Sequence, residues 1–138
     1  MIVIDASALI EFLLQTRVGQ QVKQEFLHSD DTLHAPHLID VEVAQVLRRL
    51  VREKEITSAR AEEALLDLRE LDLERHPHDV LLVRVWSLRG KLSAYDAVYV
   101  ALAEGMNAAL LTTDHRLARA AGSSVKVRTP QPPGRKHL

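Results

Sequence analysis

Apolar and polar residues follow one another along the chain in a pattern that predicts strands separated by helices. Ile2–Ile4 and residues 109–112 are short apolar runs, typical of strands buried on both faces of a parallel sheet. Weaker strand patterns occur at 33–35, 71–74 and 125–127. Between these runs apolar residues recur at helical spacing, which predicts helices at 7–15, 17–28, 37–53, after Thr57, at 77–90, 93–105 and 115–121.

Strands that alternate with helices indicate a three-layer α/β/α sandwich around a central, mainly parallel sheet of four or five strands. We assign residues 1–128 to this single domain. The remaining stretch, TPQPPGRKHL at 129–138, is basic, rich in proline and without apolar periodicity, so we predict a flexible tail. Sheets of this type bind ligands at the carboxyl ends of their strands, and polar residues at those ends are therefore the first candidates for a functional site.

Composition excludes some classes of protein. The chain of 138 residues has no cysteine, which excludes disulfides and thiolate chemistry. Its net charge of -1 gives no general attraction for nucleic acid. Asp5 and Glu11 interrupt the apolar N-terminus, which also lacks a basic start, so we predict no signal peptide. No apolar stretch is long enough to span a membrane, and we expect a cytoplasmic protein.

Four carboxylates are predicted to converge at one edge of the sheet. Asp5 ends the first strand and Asp114 follows the strand at 109–112, so both would lie at the carboxyl edge. Glu42 and Asp96 have apolar neighbours at helical spacing, which turns each toward the sheet. Buried carboxylates are costly unless they are paired or bind a metal, and oxygen ligands of this kind select Mg²⁺ or Mn²⁺.

Each acid also has a local explanation. Asp5 and Asp114 could cap the helices that follow them, and Ser93 to Asp96 matches a capping box. Glu42 could extend to solvent from the first turns of its helix. All four local explanations would have to hold together by chance, so the joint pattern favours a metal site.

The four acids lie in or next to four short motifs, which are MIVIDASA at 1–8, APHL at 35–38 leading to Glu42, YDA at 95–97 and LTTD at 111–114. These motifs resemble those of PIN-domain ribonucleases. Their order and spacing match over nearly the whole chain, and its small size is similar to that of the VapC-type toxins of prokaryotic toxin–antitoxin pairs. One departure is Gln45, where relatives often carry asparagine.

The resemblance implies a Mg²⁺- or Mn²⁺-dependent endoribonuclease that acts as the toxin of a type II toxin–antitoxin pair. It implies RNA as substrate, a homodimer and a cognate antitoxin, with no membrane partner. The implied catalytic and metal-binding set is Asp5, Glu42, Asp96 and Asp114, with Ser7 and Thr113 as supporting polar residues. The reaction would be metal-assisted hydrolysis by water, without a nucleophilic side chain.

Other polar and aromatic residues have simpler interpretations. Arg116 and Arg119 follow Asp114 and are candidates for RNA contact, whereas the basic run from Arg48 to Lys54 is interpreted as a solvated helix face. The pairs His34/His37 and His76/His78 lack an evident third ligand for zinc. Trp86 and Tyr99 are interpreted as core or dimer-interface aromatics.

Two alternative functions remain open at this point. A phosphoacceptor receiver domain would also place acids at strand ends, but it gives no role to Glu42 and Asp96, and the chain lacks a lysine at the end of a late strand. A catalytically inactive PIN-like binding module is the second alternative, and retention of all four acids argues against it.

Overall fold

The computed structural model describes residues 1–27 and 30–130, and within them the chain forms a three-layer α/β/α sandwich. The strands are β1 (Ile2–Ile4), β2 (Leu33–Pro36), β3 (Leu73–His76), β4 (Ala109–Leu111) and β5 (Val127–Arg128). The helices are α1 (Ala6–Leu13), α2 (Arg17–Leu27), α3 (Leu38–Arg52), α4 (Ser58–Glu70), α5 (Leu82–Ser87), α6 (Ala94–Met106) and α7 (His115–Ala121). The predicted helix end at His28 and most of the predicted tail, residues 131–138, lie outside the described residues.

The five strands form one parallel sheet in the order β3-β2-β1-β4-β5. β1 lies at its centre, and all three of its side chains have no exposed surface, which explains why this strand is apolar without alternation. The chain moves outward from β1 in one direction through β2 and β3, and in the other through β4 and β5. The space between the ends of β1 and β4 is therefore the topological switch point, where parallel sheets bind ligands.

Right-handed crossovers divide the helices between the two faces of the sheet. α1 to α4 connect β1, β2 and β3 on one face, and α5 to α7 lie on the other. Arg75 of β3 ties α3 and α4 to their face of the sheet. Its guanidinium donates to both carboxylate oxygens of Asp40 on α3, at 2.7 and 2.9 Å. It also donates to the carbonyl of Leu68 on α4, at 3.3 Å. In the part of the chain described, no helix combines the length and apolar character that a membrane crossing needs.

Two of the predicted strands are displaced along the chain. β3 begins at Leu73 rather than Leu71, because Leu71 ends α4 by donating its N–H to the carbonyl of Asp67. β5 is likewise shifted from 125–127 to Val127–Arg128, since the N–H groups of Ser124 and Val125 bond back to the carbonyl of Ala121. In both cases backbone bonding of the preceding helix continues further than the side-chain pattern indicates.

Proline and helix-end positions also differ from the prediction. Pro36 belongs to β2 as its last residue, where it pairs with His76 of β3 after the ladder to β1 has ended. Pro77 precedes a 3₁₀ turn, Asp79–Leu81, and α5 ends at Ser87, short of position 90. α6 runs past Gly105 to Met106 and ends at Asn107 in the left-handed conformation, with φ 52°.

Gly19 permits the close packing of α2 on α1. A Cβ atom at this position would lie 1.9 Å from the carbonyl oxygen of Glu11 in α1. That atom is backbone and cannot rotate away, so any side chain at this position would force the two helices apart. α1 directly follows Asp5, and its position therefore affects the predicted site.

We expect Gly19→Ala to lower the free energy of unfolding by about 2 kcal/mol or more, because of this backbone clash. Gly105→Ala in α6 is the matched control. Its Cβ would meet no atom within 4 Å, and replacing an exposed helical glycine should stabilise the protein by about 0.5–1 kcal/mol. Urea denaturation of both variants measures the difference, and equal stabilities would contradict the packing role of Gly19.

Candidate active site

The carboxylate of Asp5 lies at the switch point and is fixed by hydrogen bonds to both of its oxygens. Oδ1 accepts from the backbone N–H of Ala8 at 3.0 Å and from the hydroxyl of Ser7 at 2.7 Å. Oδ2 accepts from the hydroxyl of Thr112 at 2.5 Å. Asp5 thus caps α1, as its local explanation predicted, and also reaches across to the end of β4. The side chain is 5% exposed.

Ser7 and Thr112 join the ends of β1 and β4 into one polar network. Their hydroxyls are 3.2 Å apart, Ser7 Oγ accepts from the backbone N–H of Thr113 at 3.1 Å, and Thr112 Oγ1 accepts from that of Asp114 at 3.0 Å. The hydroxyl that contacts Asp5 therefore belongs to Thr112, which sequence reasoning missed. Thr113, the residue we selected, contributes its backbone N–H to the network. Thr112 is fully buried. In the sequence it is the polar residue that ends the apolar run at 109–112, and that position could have identified it.

Asp114 and Asp96 face each other across an arginine. Asp114 caps α7 through Oδ1, which accepts from the N–H groups of Arg116 and Leu117. Its Oδ2 lies 3.7 Å from Nη2 of Arg116, and the same nitrogen lies 3.3 Å from Oδ2 of Asp96. Ser93 caps α6 by accepting from the N–H of Asp96, which leaves the Asp96 carboxylate directed at this arginine. Each of these two acids therefore takes part in a helix cap and also directs an oxygen at Arg116. The space between Asp5, Glu42, Asp96 and Asp114 at the carboxyl edge of the sheet is called the acidic crevice.

Glu42 enters the crevice from α3 and meets Tyr99 of α6. Oε1 of Glu42 accepts a hydrogen bond of 2.5 Å from the Tyr99 hydroxyl. Tyr99 is 2% exposed, so it is a core aromatic as predicted, but its polar contact with Glu42 was not foreseen. Because α3 and α6 belong to opposite layers, this bond joins the two layers at the carboxyl edge of the sheet.

The charges of the four acids act on one another. Burial raises the pKa of Asp5 to about 6 against the opposing hydrogen bonds of Thr112, Ala8 and Ser7, and the charge of Asp114 raises it further. Burial also raises the pKa of Glu42, where the Tyr99 hydrogen bond opposes the shift and the charges of Asp5 and Asp96 add to it. The pKa of Tyr99 is raised by burial first and then by its bond to Glu42. The hydrogen bonds and ion pairs described above bring the four predicted acids to the same edge of the sheet.

The ligand atoms that the four acids offer are all carboxylate oxygens. Within the described part of the chain, no three of these acids each place an oxygen within 4.8 Å of the other two. A Mg²⁺ ion held here would therefore keep several of its waters and bind only one or two carboxylates directly. The guanidinium of Arg116 already stands as a cation between Asp96 and Asp114. The donor chemistry and this stand-in cation both fit a hard divalent ion.

Several other residues named from the sequence are exposed. Arg119 is exposed on α7, and Gln45 is exposed on α3. Trp86 is not a core residue of the described chain: it is 68% exposed, with the Arg89 guanidinium 4.7 Å from its ring centroid.

The sequence was compared with those of known proteins. A family model described as PIN domain matches residues 2–123. The chain belongs to the PIN-domain family. Ribonuclease VapC9 of Mycobacterium tuberculosis is 45% identical over 118 residues, covering 86% of this chain and 89% of that protein. Ribonuclease VapC1 of the same species is 39% identical over 127 residues, covering 91% and 95%. These relatives confirm the resemblance to VapC-type PIN domains that the four motifs indicated.

Solved structures confirm the PIN fold. DNA-bound VapBC from Salmonella typhimurium superposes with a TM-score of 0.69 at 12% identity, covering 94% of this chain and 98% of that one. PAE2754 from Pyrobaculum aerophilum gives a TM-score of 0.66 at 24% identity, covering 91% and 82%. At such low identity these similarities show a shared fold.

We expect Asp5→Asn to raise the free energy of unfolding of the metal-free protein at pH 7 by up to about 3 kcal/mol. The pKa of Asp5 is about 6 when folded against an ordinary 3.8, so the folded wild type holds the extra proton between these values. Wild-type stability therefore falls as pH rises from about 4 to about 6, and the asparagine, which can still bond Ala8 and Thr112, avoids that loss.

Urea unfolding in EDTA across pH 4–7 measures this difference. The gain from Asp5→Asn should be largest above pH 6 and vanish near pH 4. Asp72→Asn, at an exposed position, should give no such trend. A destabilised Asp5→Asn at pH 7 would show that the three hydrogen bonds outweigh the cost of burial.

Proposed function

We propose that this chain is a Mg²⁺- or Mn²⁺-dependent endoribonuclease that acts as the toxin of a type II toxin–antitoxin pair. The observation that carries the proposal is the convergence of Asp5, Glu42, Asp96 and Asp114 at the switch point, with a cationic group already between two of them. The names of the curated relatives, ribonucleases VapC9 and VapC1, support the reaction class. We also propose residues 1–128 as the nuclease unit.

The four acids would hold the divalent ion, which supplies charge neutralisation for a phosphodiester and a lowered pKa for a water molecule. Asp5 is pre-oriented by Ser7 and Thr112, so its carboxylate needs little reorganisation. Asp96 and Asp114 would exchange the Arg116 guanidinium for the ion. Arg116, which is 70% exposed, is then free to contact a phosphate of the RNA backbone, and Arg119 extends this basic surface along α7.

Glu42, like Asp5, is an acid of the crevice that keeps its proton to higher pH than an ordinary carboxyl group. Its pKa is raised by burial and by the charges of Asp5 and Asp96, and the Tyr99 hydroxyl opposes that rise. Tyr99 thereby keeps Glu42 ionised to lower pH. Tyr99 is a positioning residue in this scheme, because it acts through Glu42.

An exposed apolar surface supports the proposed protein partners, a second copy of the chain and a cognate antitoxin. Val80, Val83 and Trp86 are 79%, 87% and 68% exposed around the start of α5. Apolar side chains grouped in this way on a small protein are typical of interaction sites. The solved relatives include a toxin-antitoxin complex from Klebsiella pneumoniae, with a TM-score of 0.66.

The two alternative functions, a receiver domain and an inactive PIN-like binding module, differ in how far the observations support them. A receiver domain finds no support, because the chain belongs to the PIN-domain family and its helical acids, Glu42 and Asp96, join the crevice. An inactive binding module differs from the nuclease in one measurable property, which is RNA cleavage.

We expect Asp96→Asn and Asp5→Asn to abolish cleavage of single-stranded RNA in Mg²⁺ or Mn²⁺ while leaving the far-UV circular dichroism unchanged. Each change removes a negative charge from the ion-binding set. Asp72→Asn is the matched control and should cleave like wild type. Full cleavage by both crevice variants would contradict the assignment, and no cleavage by any folded form would favour the inactive module.

We expect Tyr99→Phe to move the acidic limb of the pH–rate profile to higher pH, because the change removes a hydrogen bond to a charged group. Loss of the donor raises the pKa of Glu42, so a higher pH is needed to ionise it. Tyr95→Phe, at a residue 64% exposed on the same helix, is the control. A uniform loss of rate at every pH would indicate a purely structural role for Tyr99.

We expect expression of the chain alone to arrest bacterial growth, and co-expression of a partner encoded beside it to relieve the arrest. Asp96→Asn should not arrest growth, because it lacks cleavage activity. Colony counts after induction measure the effect. Harmless expression of protein that cleaves RNA in vitro would reject the toxin role and leave the nuclease in place.

A further inference from the structure

A second group of metal-ligating side chains lies on the outer half of the sheet, away from the acidic crevice. His34 of β2 pairs with Glu74 of β3 in the strand register, and His76 lies two residues further along β3. Arg75, between Glu74 and His76, points to the face that carries α3 and α4. Because side chains alternate along a strand, the three residues project together from the opposite face.

The three side chains bring one ligand atom each into a small space. Nδ1 of His34 lies 2.8 Å from Nε2 of His76. The Glu74 carboxylate lies 3.5 Å from Nδ1 of His34 and 3.9 Å from Nε2 of His76. All three atoms lie within 4.8 Å of one another. Among the residues that the structure describes, no other set of three histidine or carboxylate side chains meets this distance.

Thr32 orients the buried histidine of this group. Its hydroxyl lies 2.6 Å from Nε2 of His34, which leaves Nδ1 directed at His76. Metal-bound histidines are commonly held in this way, with the second ring nitrogen bonded to a neighbouring oxygen. With Nε2–H donating to Thr32, Nδ1 of His34 presents a lone pair to the shared space.

A single proton lies between the two facing ring nitrogens, whichever ring donates it. A metal ion would replace this proton, and each neutral imidazole would keep one proton on its other nitrogen. The exchange needs a change of tautomer in one ring and no net release of protons. Glu74 then supplies the negative charge that two neutral imidazoles lack.

The spacing matches a tetrahedral ion with two nitrogen ligands and one oxygen ligand. Zn²⁺ binds histidine nitrogen at about 2.0–2.1 Å, so two such ligands lie about 3.3 Å apart. The distances from Glu74 are already close to this value, and the histidine pair must open by about half an ångström. His76 is half-buried at the end of an edge strand and Glu74 is exposed, so both side chains have room to adjust.

We propose that His34, Glu74 and His76 form a binding site for a borderline divalent metal, Zn²⁺ above all, that is distinct from the acidic crevice. Imidazole ligands select Zn²⁺, Co²⁺ or Ni²⁺, whereas an all-carboxylate set selects Mg²⁺ or Mn²⁺. The ion would tie the edge strand β3 to β2 and leave a fourth position for water. This site is independent of the proposed nuclease function.

The test is a titration of the untagged full chain with ZnCl₂ and with CoCl₂, in excess Mg²⁺ that competes for the carboxylates of the acidic crevice. We expect saturable Zn²⁺ binding by calorimetry, the strong visible absorption of four-coordinate Co²⁺, and a higher melting temperature with Zn²⁺. Thr32→Val should weaken Zn²⁺ binding by about 10- to 100-fold. His76→Gln and Glu74→Gln, which remove ligands at accessible positions, should weaken it further and abolish the Co²⁺ spectrum.

Two controls separate this site from other donors in the chain. His78→Gln removes an exposed neighbouring histidine and should bind Zn²⁺ like wild type. The double variant Asp5→Asn, Asp96→Asn should also retain Zn²⁺ binding, since its changes lie in the crevice. The proposal is overturned if wild type and His76→Gln bind Zn²⁺ equally, or if binding is lost in the crevice variant instead. His34→Gln is unsuitable as the deciding variant, because His34 is buried.

Discussion

The hydrogen bond from Thr112 to Asp5 joins the ends of the two central strands, and the acidic crevice is built around it. Asp5 is almost fully buried, and a buried carboxylate is tolerated only where donors surround it. Ser7 and the N-terminus of α1 supply the remaining donors. The same network places Asp114 by accepting its backbone N–H, so two of the four acids depend directly on this junction.

The other two acids arrive from opposite layers of the sandwich. α3 begins at the carboxyl edge of the sheet and carries Glu42, while the first turn of α6 reaches that edge from the other side and carries Asp96. Tyr99 of α6 connects the two helices through its hydrogen bond to Glu42 of α3. Burial first, and then repulsion among these charges, raises the pKa of Glu42 and Asp5. A cation bound there would relieve this electrostatic cost. Arg116 pairs with the other two acids, Asp96 and Asp114.

The sheet presents two donor sets of different chemistry. At the switch point the donors are carboxylate oxygens, which suit a hard ion that keeps its waters. On the outer half of the sheet two imidazoles and a carboxylate come together through strand register alone, because parallel pairing places His34 beside Glu74 and pleating brings in His76. Along the chain the nearest histidine pairs are His34/His37 and His76/His78. In the structure His34 instead contacts His76. His34 lies beside Glu74 in the strand register, and His76, two residues further along β3, projects from the same face as Glu74.

The sequence by itself determined the fold class and the alternation of strands and helices, and it singled out the four acids as candidates. These features follow from periodicity and from motifs that are local in the chain. Only the tertiary structure decided which hydroxyl supports Asp5, because Thr112 and Thr113 are adjacent and strand pairing selects between them. The Tyr99–Glu42 bond and the histidine group likewise join residues 57 and 42 positions apart. Contacts at such separations depend on how layers pack and strands align, and those are properties of the folded chain that no local pattern encodes.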